Sequence, residues 1–162
     1  MRRPLAALLL TLGLVGGSAG CAAGKPAEKT AMVCGTEVAG ELAAAFGTPA
    51  RTTPASTWVK PTFTCIYEYA NGSFTMTVTE LKDEAAAAAY LSDRRGGNEL
   101  VPELGAGAFH EPNGNVYASR EASVLYVDVS RLPEPFGTPP SPRAQAARTI
   151  AETVLHCWTE ES

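Results

Sequence analysis

The chain has 162 residues, 45% of them apolar and 19% charged, with a formal net charge of −4. That length suits one domain around one core and is short for a two-domain enzyme. The composition excludes a polytopic membrane protein, a collagen and a wholly disordered chain. No Lys/Arg cluster and no basic residues interleaved with aromatics occur, so nucleic acid is not expected as a partner.

At the N-terminus Arg2 and Arg3 precede a short apolar run, residues 5–15, and then the small residues Gly16, Gly17, Ser18, Ala19 and Gly20. The run is well under the roughly 20 residues that span a bilayer as a helix, so residues 1–20 read as an export signal peptide. Cys21 follows Ala19 and Gly20. This ending resembles the lipobox of bacterial lipoproteins, whose cysteine receives diacylglycerol before the chain is cut in front of it; Ser18 stands where Leu is usual. The resemblance implies lipidation at Cys21; the competing reading is an ordinary secretory signal that leaves Cys21 as a thiol. Two acyl chains on one thioether hold a protein stably on a membrane, so the expected location is the extracytoplasmic face of the cell membrane. Cleavage takes away Arg2 and Arg3 and no acid, leaving 11 of the 13 basic residues against 17 acids, a charge of −6.

Residues 21–30 read as the lipidated cysteine and a flexible stalk, and residues 31–162 as a single domain. Thr36 caps an expected helix to Phe46, with Val38, Leu42, Ala45 and Phe46 on one face and Gly47 and Pro49 as the stop. Residues 51–58 read as a Thr/Pro/Ser loop. Alternation over residues 63–69 and 74–79, with Asn71-Gly72 as a type I′ turn between them, predicts a hairpin. Asp83 caps an alanine-rich helix over residues 84–95 that ends at Gly96-Gly97. A three-stranded meander follows over residues 106–111, 115–120 and 123–131, its last strand apolar enough to be central. Residues 133–140 form a proline-rich connector wrapping the outside. Ser141 and Pro142 then open a final helix with Ala146, Ala147, Ile150, Val154 and Cys157 inward. The order α-ββ-α-βββ-α gives an α+β fold, an antiparallel sheet with helices packed on one face.

Outside the cytosol, three further cysteines predict one disulfide and one remaining thiol. Cys34 to Cys65 is preferred, because it ties a helix start to a central strand and closes a loop of about thirty residues. Cys34 to Cys157 is the alternative. A zinc site from Cys34, Cys65, Cys157 and His156 has a valid donor set, but it lacks a C-x₂-C knuckle. His156 and Cys157 are also neighbours on a helix, pointing about 100° apart. His110, beside Glu111, would need Asp128 and Ser130 to converge on it for nucleophilic chemistry, and no G-x-S-x-G elbow marks a nucleophile. Glu68 and Glu80 fall on opposite strand faces. The Gly105-Ala106-Gly107 segment lacks the third glycine and the Lys-Ser/Thr of a phosphate loop, and Asn71-Gly72-Ser73 is a glycosylation sequon only formally. No catalytic residue, metal or cofactor is expected.

The leader, the Cys34-x-x-x-Val38 helix, the Cys65-Ile66-Tyr67 strand, Leu104-Gly105-x-Gly107-Ala108-Phe109 and the closing Cys157-Trp158 carry a resemblance to an uncharacterised family of secreted actinobacterial lipoproteins of the Streptomyces type. These motifs are structural, so the resemblance implies location and fold but transfers no reaction. The expected function is a non-catalytic binding or accessory module of the cell envelope, whose partner is an envelope protein or a small apolar ligand. Trp58, Tyr67, Tyr69, Tyr117 and Tyr126 are the candidate contact aromatics. The alternatives are an envelope hydrolase with a site near His110, and a structural surface protein that has no ligand and no substantial pocket.

Overall fold

The structure is a computed structural model that describes residues 24–160; Cys21 and the leader lie outside the described residues. The strands are β1 (Ala55–Val59), β2 (Thr62–Tyr69), β3 (Gly72–Glu80), β4 (Phe109–His110), β5 (Val116–Arg120) and β6 (Ser123–Asp128). The helices are α1 (Glu28–Met32), α2 (Thr36–Phe46), α3 (Glu84–Arg95) and α4 (Arg143–Glu160). The strands form one antiparallel sheet in the order β1-β2-β3-β6-β5-β4, confirming the α+β class and placing β6 centrally.

The alternation in β3 sends Phe74, Met76 and Val78 into the main core, where they meet Phe63, Cys65 and Tyr67 of β2 and Leu125 and Val127 of β6. Helices α2 and α4 cover this face: Val38, Leu42 and Phe46 of α2 and Ala147, Ile150, Ala151 and Val154 of α4 are buried in the same core. Ala45, expected on the inward face of α2, is exposed. Helix α3 departs from the one-face arrangement. Its Ala87 and Leu91 pack with Phe109 and Val124 in a second, smaller cluster on the opposite side of the sheet. The reason lies in β6, where successive side chains alternate in direction and Val124 and Leu125 are both apolar, so both faces need cover.

Other departures are local. The expected loop of residues 51–58 holds most of strand β1, which continues to Val59 and is hidden in the sequence because Pro54 and Pro61 bracket it and only Trp58 is partly buried along it. Pairing with β2, from Ala55 opposite Ile66 to Val59 opposite Thr62, makes it a strand. The hairpin loop is Ala70-Asn71, one residue earlier than expected, with Tyr69 paired to Gly72. Gly72 serves a close approach instead of a turn: a Cβ there would lie 2.4 Å from the Arg131 carbonyl oxygen. Asp83 caps α3 as expected, its Oδ1 accepting from the Ala86 N–H at 2.8 Å. Helix α4 is capped differently. The Glu134 carboxylate accepts from the Arg143 backbone N–H at 3.0 Å and from its Nε at 3.1 Å, while Ser141 pairs with Phe136. The proline-rich connector is more than a wrap, since Phe136 is buried edge-on against Phe46 and Tyr69 with ring centroids 5.1 and 4.9 Å away.

The largest correction concerns the expected stalk. Residues 24–33 are docked across the end of the sheet. The Trp58 indole N–H donates to the Gly24 carbonyl, the Ala27 N–H donates to Glu80 at 2.7 Å, Lys29 pairs with Glu121, and the Trp158 indole donates to the Lys29 carbonyl at 2.7 Å. Thr30 and Val33 are fully buried beneath this path. Helix α1 is too short to persist alone and is held by this docking.

Gly72→Ala is expected to destabilise the fold by about 1–3 kcal/mol, because a methyl group must displace backbone. Urea unfolding measures it, and an unchanged midpoint would contradict the close approach.

Candidate functional site

Helix α2 buries Val38, Leu42 and Phe46 and turns Thr36, Ala39, Gly40 and Ala43 the other way. Residues 49–54, closed at both ends by Pro49 and Pro54, run back past these small residues, and the Arg51 N–H donates to the Glu68 carbonyl at 2.7 Å. Because Ala39, Gly40 and Ala43 are short, an open groove of about 480 Å³ remains between helix and loop, with Cys34 at its wall. A Cβ built on Gly40 meets nothing within 4 Å. The lining is methyl groups, proline rings and threonine, with Arg51 as its one charged group. Such a wall offers burial and a single cation, which suits binding; none of its groups is a base or an activated nucleophile. Sequence reading passed over these residues because small side chains on the outer face of a helix look merely solvated.

Cys34 and Cys65 are bonded, with Cα atoms 5.6 Å apart, and Cys157 is buried outside the disulfide. The preferred pairing is the observed one. Two sulfurs of the tetrahedral zinc set are therefore consumed by each other, and His156 is exposed while Cys157 points inward.

His110 sits in β4 with its ring nitrogens directed to the Glu99 carboxylate at 3.2 Å and to the Glu111 carbonyl at 3.3 Å. Asp128 instead accepts from the backbone N–H of Ser130 at 2.9 Å. The three groups are thus engaged separately, and the relay that a hydrolase reading needs is not assembled by these bonds.

The candidate aromatics divide. Tyr67 and Tyr69 belong to the core: Tyr67 stacks on Phe74 at 4.8 Å and donates its hydroxyl to the Val33 carbonyl at 2.8 Å. Burial pushes the Tyr69 phenol up to about 12, and burial, with smaller effects from Tyr69 and Cys157, raises Tyr67 further. They are corrected from contact residues to structural ones. Trp58 is half-buried against the core and tied to Gly24. Tyr117 and Tyr126 stack at 4.3 Å on the opposite face of the sheet, half-buried, with Phe109 on the far side of Tyr117 at 4.8 Å. The register continues this row through Thr77, Thr64 and Thr57, so the face beyond α3 is rich in hydroxyls, with Val59 and Ile66 the exposed apolar side chains on it. The Tyr126 hydroxyl receives the Asn115 amide at 2.7 Å and reaches Glu111 at 3.3 Å; burial first and then Glu111 raise its pKa. Those bonds occupy the phenol and make the cluster a brace between β5 and β6.

Among the described residues no helix is long and apolar enough to cross a membrane. Comparison with known proteins finds no matching family model, no matching curated protein and no matching solved structure.

The buried phenols set an alkaline limit. Their folded pKa values lie above the unfolded value of about 10, so their stability contribution is complete below pH 10 and is lost as pH rises through the folded values. Unfolding free energy is expected to fall by about 1.4 kcal/mol per pH unit for each such phenol from roughly pH 10 toward pH 12. Urea melts across that window test it, and a flat profile would refute the burial argument.

Proposed function

We propose that this chain is a membrane-anchored extracytoplasmic lipoprotein whose single domain is a non-catalytic binding module of the envelope. The observation that carries the binding role is the open groove of about 480 Å³ between α2 and residues 49–54. Its size falls within the range of small-molecule sites, and its small apolar walls suit an apolar ligand. Arg51 at the groove favours a ligand with an anionic end. A purely structural surface protein has no need of such a groove, and His110 is held by Glu99 and Glu111 without a nucleophile bonded to it. The Cys34 to Cys65 bond fits an oxidising compartment, which supports export. The leader ending at Cys21 supports a lipid anchor in place of simple release.

The groove is testable with the anionic apolar dye 8-anilinonaphthalene-1-sulfonate. Its emission is expected to rise on binding the native protein and to lose most of that rise with Gly40→Leu, which fills the groove from a position with free space around it. Thermal unfolding should be no lower for that variant, since leucine is the better helix former by somewhat under about 1 kcal/mol. An undiminished dye response would remove the groove as the site.

The anchor is tested separately. Cys21→Ala is expected to move the protein from the membrane fraction to the medium, and retention of this variant on the membrane would overturn lipidation.

A further inference from the structure

All four lysines of the chain, Lys25, Lys29, Lys60 and Lys82, lie at one end of the sheet. The topology puts them there. The β1–β2 turn holds Lys60, the exit from β3 at Glu80 leads to Lys82, and the β5–β6 turn carries Glu121, which pairs with Lys29. Pairing of Thr62 with Thr79, and of Glu80 with Ser123, aligns these turns side by side. The docked N-terminal segment crosses the same end, bringing Gly24 to Trp58 and to within 4.0 Å of Lys60 Nζ for a Cβ at Gly24. Val59, 70% exposed, projects beside them.

At this end the four lysines and Arg120 stand among Glu28, Glu80, Asp83, Glu84 and Glu121, with Glu103 and Glu152 in a hollow beside Arg120 and α4 ending at Glu160, two residues past Trp158. The basic groups nearest Gly24 are Lys25 and Lys60. Of the acids at this end, Glu80 and Glu121 are already engaged by the N-terminal segment, whereas Lys25 and Lys60 are exposed.

We propose that this end, with Lys25, Val59 and Lys60 at its centre, is the surface that rests on an anionic lipid bilayer. The inference depends on the anchor proposed at Cys21. Three peptide units separate Cys21 from Gly24, a reach of about 10 Å at full extension, comparable to the screening length in physiological salt. A nine-residue free stalk would let the domain tumble; a chain already docked at Gly24 does not. The bilayer must meet the end where Gly24 sits. There the exposed Lys25 and Lys60 face the headgroups, and Val59 meets the interface. The β2–β3 turn at Asn71 lies on the order of 25 Å from this surface, one strand length away.

The experiment uses the mature protein purified from membranes and reconstituted in vesicles of phosphatidylglycerol and phosphatidylethanolamine carrying nitroxide-labelled lipid. A thiol-reactive fluorophore is placed at Val59→Cys or at Asn71→Cys, both exposed positions, Cys157 being shielded by burial. The expected result is loss of most emission from the label at position 59 and little loss at position 71. Equal quenching in protein that floats with the vesicles overturns the orientation while leaving the anchor intact. Protein that does not float overturns the anchor, and the orientation falls with it. Adding Lys25→Glu and Lys60→Glu should narrow the difference between the two positions; an undiminished difference overturns anionic headgroups as the feature this end recognises.

Discussion

The covalent bond between Cys34 and Cys65 is the constraint on which the other features depend. It joins the segment entering α2 to the second strand of the sheet, across 31 residues of chain. In the chain-entropy account a closure of that length is worth about 3–4 kcal/mol. Its position matters as much as its magnitude. On one side it fixes the start of α2 and with it the wall of the groove; on the other it ends the N-terminal path that crosses the strand ends from Gly24 to Val33. Release of that bond would loosen the groove and the docked segment together.

The groove and the docked end obey one physical rule at different places, which is that a gap or a contact is decided by side-chain length. Ala39, Gly40 and Ala43 are too short to reach residues 49–54, so space remains between them. At the end of the sheet the reverse holds: the long side chains of Trp58, Glu80, Lys29 and Trp158 reach out to backbone and partner groups, and the segment is pulled flat. The sheet separates the two kinds of surface from the threonine-rich face that α3 leaves uncovered. Thr57, Thr64 and Thr77 give that face hydroxyls that water can satisfy, and Val59 and Ile66 stand exposed among them.

A good part of the architecture was legible from residue pattern. The 3.6-residue spacing of Val38, Leu42 and Phe46, the two-residue alternation of Phe74, Met76 and Val78, and the Asp83 cap are local signals with local causes, and the structure keeps all of them. The pairing of Cys34 with Cys65 was legible only as a preference over Cys34 with Cys157, because all three inward cysteines could meet in one core, and the structure settles it. Strand β1 was not, since its residues are mostly exposed and owe their conformation to β2. The groove was not either: Gly40 and Ala43 carry no chemistry of their own, and a cavity is a property of two segments at once.

What the amino-acid sequence determined by itself was the class of fold and most of the core stripes, which follow from short-range periodicity or composition. Only the tertiary structure decided that residues 24–33 are docked, that Tyr67 and Tyr69 are core, that α3 lies opposite α2 and α4, and that every lysine shares one end of the sheet. Each of these depends on contacts between residues far apart in the chain. Such contacts are set by strand order and register, and no window of sequence short enough to read by periodicity contains both partners.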